Sequence, residues 1–137
     1  MFTIDKPLPA ITEDGAPYWA ATREGTLSVQ RCTACGHLRF PPALVCPKCL
    51  AEAHEWTPLS GRGRIYSFIV VHRPQHPGFF ADAPYNVAIV ELDEGIRLHT
   101  NIIDCVNEDL AIDMPVEVVF EKVDDEVTLA KFRPRAA

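Results

Sequence analysis

The chain has 137 residues, 47% hydrophobic and 23% charged, which suits one ordinary domain, or a small metal module joined to a domain of about 75 residues. Its formal charge of −6 is uneven: residues 1–75 hold eight Lys or Arg against six Asp or Glu, and residues 76–137 hold five against thirteen. That acidic second half opposes nucleic-acid binding, which depends on neutralising phosphates, and the Pro-bearing, charge-bearing start Met1–Glu13 offers no leader or membrane span, so a cytoplasmic protein with reduced or metal-bound thiols is expected.

Residues 1–26 read as an arm and a helix. Pro7 and Pro9 keep Met1–Ala10 extended. Glu13 to Gly25 has early acids, a proline suited to a first turn and a glycine suited to a stop, which predicts a helix of about two turns. So short a helix does not recover its nucleation cost alone, so Tyr18 and Trp19 must pack on something. The chain's own ribbon or core is one surface; a partner protein, where Tyr and Trp are favoured anchors, is the other.

Residues 27–58 are organised by cysteine. Strand-like Leu27–Arg31 leads into Cys32-Thr33-Ala34-Cys35, and after ten residues comes Cys46-Pro47-Lys48-Cys49. Two residues between cysteines allow a tight turn to aim both sulfurs inward, and Gly36–Phe40 reads as a short strand returning beside the first. Four thiolates satisfy a tetrahedral zinc ion with no position left for chemistry, so one structural Zn2+ in a rubredoxin-like zinc ribbon is expected, with Cys32, Cys35, Cys46 and Cys49 as ligands. Two disulfides would suit a smaller secreted chain without the unpaired fifth cysteine, and no βαβ pattern supports a redox CxxC. Metal binding of this kind supplies roughly 10–16 kcal/mol that is also local folding energy. Pro41 and Pro42 place the spacer in a loop or edge. His37 and His54 lie near a sphere already full of sulfur and read as structural or solvent-facing.

Residues 59–137 have strand character. Ile65–Val71 is an unbroken apolar run, as in a strand covered on both faces. Asn86–Leu92 and Ile96–Ile102 flank Asp93-Glu94-Gly95, a hairpin loop. The latter strand alternates, placing His99 outward. Asn107–Leu110 is a short turn or a single helical turn, and Val116–Glu121 and Val127–Phe132 complete five strands joined around a small element. The expected class is mainly β, with an OB-fold barrel after the helix and ribbon. Cys105 reads as a small hydrophobe rather than a nucleophile. The stretch His72–Tyr85, with three prolines and a glycine, is expected to be neither strand nor helix, yet it carries Phe79, Phe80 and Tyr85. Long aromatic loops bind something or cap a core. The end, Phe132–Ala137, is a free tail or a docking strand.

An ordered set of short motifs runs nearly the whole length: Pro17-Tyr18-Trp19, Gln30-Arg31-Cys32 to Cys35-Gly36, Cys46-Pro47 to Cys49, Ser60-Gly61-Arg62-Gly63, Val70–Pro74, Pro84-Tyr85, Glu91–Gly95, Met114-Pro115-Val116 and Lys131-Phe132. In these residues the chain resembles the acyl-CoA-associated family of paired zinc-ribbon and OB-fold proteins, the domain of unknown function thirty-five. Asp113, where the family often has glycine, departs from it. The resemblance implies a non-catalytic small subunit of a thiolase-like enzyme on acyl-CoA thioesters (acyltransferase, thiolase or retro-aldolase), completing a hetero-oligomer and bordering its CoA or acyl channel. Tyr18, Trp19, Phe79, Phe80 and Tyr85 are then expected at the partner interface, and Arg62, Arg64 and Arg73 at CoA phosphates or partner acids. Two other readings are a single-stranded nucleic-acid module, since ribbons and OB-folds both serve that role, and a free-standing acyl-CoA-binding protein.

Overall fold

The computed structural model describes residues 6–136. The helix α1 spans Ala16–Arg23, with Pro17 in its first turn. It stops where expected: Gly25 takes φ +81°, and the amides of Glu24, Gly25 and Thr26 return to the carbonyls of Ala21 and Thr22. Tyr18 and Thr22, one turn apart, form its buried face.

Three strands form the ribbon sheet: β1 (Ser28–Cys32), β2 (Leu38–Arg39) and β3 (His54–Pro58), in the order β2-β1-β3. Both pairings are antiparallel, and β3 covers β1 along its whole length, from Ser28 opposite Pro58 to Cys32 opposite His54. Sequence reading leaves residues 54–58 without a strand, because His, Glu and Pro favour that state poorly; the waiting edge of β1 supplies the order.

The second sheet holds β4 (Arg62–Val71), β5 (Tyr85–Leu92), β6 (Arg97–Thr100), β7 (Pro115–Lys122) and β8 (Thr128–Pro134), in the order β6-β5-β4-β7-β8. It curls into the OB-fold half-barrel. Its ends meet through one parallel bridge, Ile102 with Phe132, where Ile103 N–H donates to the Phe132 carbonyl and Phe132 N–H to that of Asn101. Sharp coiling needs residues without a side chain: at Gly63 a Cβ would overlap the backbone of Glu91, and at Gly61, with φ +74°, it would overlap Val118. A register shift in β4 at Tyr66 adds to the bend.

The core runs through Ile65, Ala88, Val90, Leu92, Leu98, Ile102, Val116 and Phe132, and reaches Leu27, Val29 and Tyr18 in the ribbon half. Each large side chain so withdrawn contributes about 1.5–3 kcal/mol relative to exposure. β6 alternates as expected, with His99 exposed, and β5 proves to alternate as well. β4 corrects an expectation: Ile65 is buried, but Tyr66 is 42% and Ile69 60% exposed, so the run is covered on one face only. The stretch after β4 is also more ordered than expected, since Pro77–Asp82 forms a 3-10 helix begun by the His76 ring, which accepts from the Gly78 amide. Of the two forms expected at Asn107–Leu110 the helical turn is found, as a second 3-10 helix over Asn107–Asp109. The final strand carries residues to Pro134 into the sheet beside β7, and Arg135 N–H reaches the Pro115 carbonyl. No helix among the described residues is long and apolar enough to cross a membrane.

Candidate metal centre

The sulfurs of Cys32, Cys35, Cys46 and Cys49 lie within 4.8 Å of one another. Cys32 and Cys49 are 3.5 Å apart, and Cys35 and Cys46 3.6 Å. Two matching turns create this cluster. In the first, Gly36 N–H donates to the Cys32 carbonyl while Cys32 N–H donates to that of His37; in the second, Leu50 N–H donates to Cys46 and Cys46 N–H to Ala51, all at 2.9 Å. Gly36 and Leu50 hold the same left-handed position, at φ +80° and +65°. Only the first knuckle has the residue such a backbone favours.

Backbone amides prepare the sulfurs for charge. The Cys32 thiol is pushed down to about 6, chiefly by the Cys35 amide, with the Ala34 amide and the neighbouring sulfurs adding and desolvation opposing. Burial raises Cys46, but the Cys49 and Lys48 amides and two adjacent sulfurs outweigh it, and its net shift is downward. At Cys35 the His37 amide lowers the value, but desolvation and three sulfurs competing for charge push the thiol up to about 12. Sulfurs this close compete for negative charge; a dication removes the conflict, and the closed four-sulfur set fits one structural zinc ion. His37 and His54 stay outside it: the His37 carbonyl accepts from Cys32, and the His54 ring meets Gln30 and the Glu52 carbonyl.

The remaining candidate residues are dispersed. Tyr18 is only 9% exposed, packs edge-on against Trp19 at 5.1 Å and tilted against Phe40 at 5.5 Å, and has its phenol pushed up to about 12 by burial. It is spent inside the chain and leaves the set of accessible anchors. Trp19 is half-buried, and Phe80 is 55% exposed. Phe79 and Tyr85, 6.0 Å apart, line a groove of about 650 Å³ with the arm residues Lys6–Pro9, Ile102, Cys105 and Lys131. Both lysines are already ion-paired, Lys6 to Asp82 and Lys131 to Glu121. Cys105 is raised by burial and then by Asp109, which holds it as a thiol.

The arginines do not converge. Arg62 and Arg64 begin β4, whereas Arg73 lies beyond its far end. Arg64 is engaged at 2.6 Å by Asp113 and at 3.4 Å by Glu91, while Arg62 and Arg73 are exposed. Arg97 completes that network on Glu91 and stacks 3.8 Å over Tyr66. Gln30 and Arg39, neither expected to hold a site role, are each 2% exposed beside the knuckles. Alternation from Leu38 and Phe40 would have turned Arg39 outward.

A four-cysteine ribbon joined to an OB-fold half-barrel defines the class of protein. Comparison places it more narrowly: residues 19–55 match the ChsH2 rubredoxin-like zinc ribbon domain and residues 56–121 the ChsH2 C-terminal OB-fold domain. The chain belongs to this ChsH2, or DUF35, family. A solved structure described as an Ltp2-ChsH2(DUF35) aldolase contains a chain 42% identical, with a TM-score of 0.84 over 93% of this chain and 98% of that one. A probable enoyl-CoA hydratase alpha subunit of Thermomonospora curvata is 43% identical over 94% of this chain, which spans only 40% of that relative's length. A DUF35 domain-containing scaffold protein of Methanocaldococcus jannaschii is 42% identical over 70% of this chain and 68% of its own. A benzoylsuccinyl-CoA thiolase subunit, BbsA, of Thauera aromatica is 33% identical over 69% of this chain and 58% of its own.

Proposed function

We propose that this chain is a non-catalytic, cytoplasmic accessory subunit of a thiolase-like enzyme acting on acyl-CoA thioesters. The carrying observation is the near-complete match, over 93% of its length, to a chain of an aldolase assembly. The relatives named as thiolase subunit, hydratase subunit and scaffold agree in being parts of larger machinery and in the CoA thioester chemistry of two of the names. The chain's own chemistry supports the same reading, since its clustered thiols form a closed metal site that leaves no coordination position for a substrate. The thiolase-type partner supplies the nucleophile, and this subunit stabilises it and borders its acyl channel.

Trp19, Phe79, Phe80 and Tyr85 are the proposed apolar contacts, with Phe80 the most exposed of them. Arg62 and Arg73 are the proposed contacts to CoA phosphates or partner acids, and Arg64 has its charge largely taken by Asp113 and Glu91. Co-expression with a thiolase-like partner tests the reading. A stable complex is expected, weakened by Phe80→Ala, in which the partner's thioester turnover requires this chain. A partner fully active alone, or turnover by this chain unaided, overturns it. Tight binding of a CoA ester to the isolated chain by calorimetry would replace it with a free-standing carrier.

A further inference from the structure

The base of the second knuckle is enclosed by a closed circuit of hydrogen bonds. Arg39 on β2 faces Gln30 on β1 across the sheet register. The Arg39 guanidinium donates through Nη1 to the Ala43 carbonyl at 3.1 Å and through Nη2 to the Glu52 carbonyl at 3.3 Å. Ala43 N–H donates to Gln30 Oε1 at 2.8 Å, Gln30 Nε2 meets His54 Nε2 at 3.4 Å, and His54 Nδ1 returns to the Glu52 carbonyl at 3.0 Å. With Nδ1 donating to a carbonyl, His54 Nε2 is the acceptor of the Gln30 amide. Ala43 lies three residues before Cys46 and Glu52 three after Cys49, so one side chain ties both stems of the knuckle.

Arg39 is costly to keep there. A guanidinium stays charged, Arg39 is 2% exposed, its Nε has no partner, and among the described residues it makes no ion pair with a carboxylate. A methionine or leucine would fill similar space without that cost. What the arginine adds is a two-pronged grip on the knuckle stems and a positive charge in a module whose loaded centre, four thiolates around a dication, is a dianion.

We propose that Arg39 is a positioning residue for the zinc site, locking Cys46 and Cys49 at metal-binding separation and supplying the countercharge. The role is independent of any partner subunit. Its test uses the full zinc-loaded chain, following zinc transfer to a chromophoric chelator, the thiolate-to-metal absorption of the cobalt-substituted protein, and circular dichroism as a check of folding. Outer partners of metal ligands are worth roughly 10–100-fold in affinity, so Arg39→Met is expected to release zinc at least about tenfold faster and to shift the cobalt bands while the barrel stays folded. Arg39→Lys, which keeps the charge but reaches only one carbonyl, is expected to fall between. A folded Arg39→Met protein that retains zinc as long as the unsubstituted chain, with unchanged cobalt bands, overturns the assignment even if it melts at lower temperature. If Arg39→Met does not fold, Arg39→Lys decides: faster release supports the role, and unchanged release overturns it.

Discussion

The barrel buries Ile65, Ala88, Val90, Leu92, Val116 and Phe132, each at most 2% exposed; around the knuckles Cys32, Cys46, Gln30 and Arg39 are withdrawn to the same degree. One interior is apolar and graded, so that its stability is the sum of many contacts and is worn down piece by piece. The other is sulfur and hydrogen-bonded polar groups, where ordering depends on a metal and the loss of one ligand removes nearly everything. The lesson is that a small protein can join an additive interior to an all-or-none one, provided a shared floor connects them. Leu27, Val29 and Tyr18 are that floor, since they belong to the same apolar cluster as the barrel.

The strongest way to break the contrast is to remove zinc with a high-affinity chelator, or to make Cys46→Ser. The knuckles then lose about 10–16 kcal/mol of local folding energy, and amide exchange should show protection lost around residues 32–54 but kept over β4 to β8. Protection surviving throughout would mean that polar contacts alone hold the ribbon. Next is Phe132→Ala, expected to cost about 3–5 kcal/mol in equilibrium denaturation with zinc content unchanged in the folded fraction. Gly63→Ala should cost about 1–3 kcal/mol by the same measurement, because the added methyl meets the Glu91 backbone rather than a movable side chain.

Smaller effects sharpen each side. Leu50→Gly relieves a left-handed leucine and should stabilise the zinc-loaded ribbon by about 0.5–1 kcal/mol, less than the relieved strain because glycine also loosens the unfolded chain. A rise in melting temperature, absent once zinc is stripped, checks it. On the barrel surface Glu91 is held below the usual carboxylate range, first by its hydrogen bond to Arg97 and then by Arg64. A carboxylate lowered in the folded state adds stability above its unfolded pKa and loses it as pH falls through the folded value. Glu91→Gln should therefore be less stable than the parent near neutrality and converge with it in acid, as melting curves at stepped pH would record.

Much of this architecture was legible because its signals are periodic. The four ligands follow from spacing, β6 and β7 from alternation, and β5 from the hairpin loop that joins it to β6. The illegible parts depend on neighbours far along the chain. β3 exists because β1 offers an open edge, and Arg39 is inside because the knuckle stems turn their carbonyls toward it. Tyr18 could be read as core or as anchor until Phe40 and the helix face enclosed it. Residues 65–71 were overread, since an apolar run does not say which of its faces the fold will cover.

The seam between Ile102 and Phe132 is the thinnest backbone junction in the barrel wall. Every other junction in the five-stranded sheet is a ladder of at least three paired residues, whereas this one is a single rung flanked by the amides of Ile103 and Phe132 and by the Thr100 hydroxyl, which donates to the Ala130 carbonyl at 2.9 Å. It runs along the wall that holds Ile102, Ile103 and Cys105, one side of the groove that Phe79 and Tyr85 also line. The groove thus borders the stretch of the sheet that the fewest backbone bonds hold together.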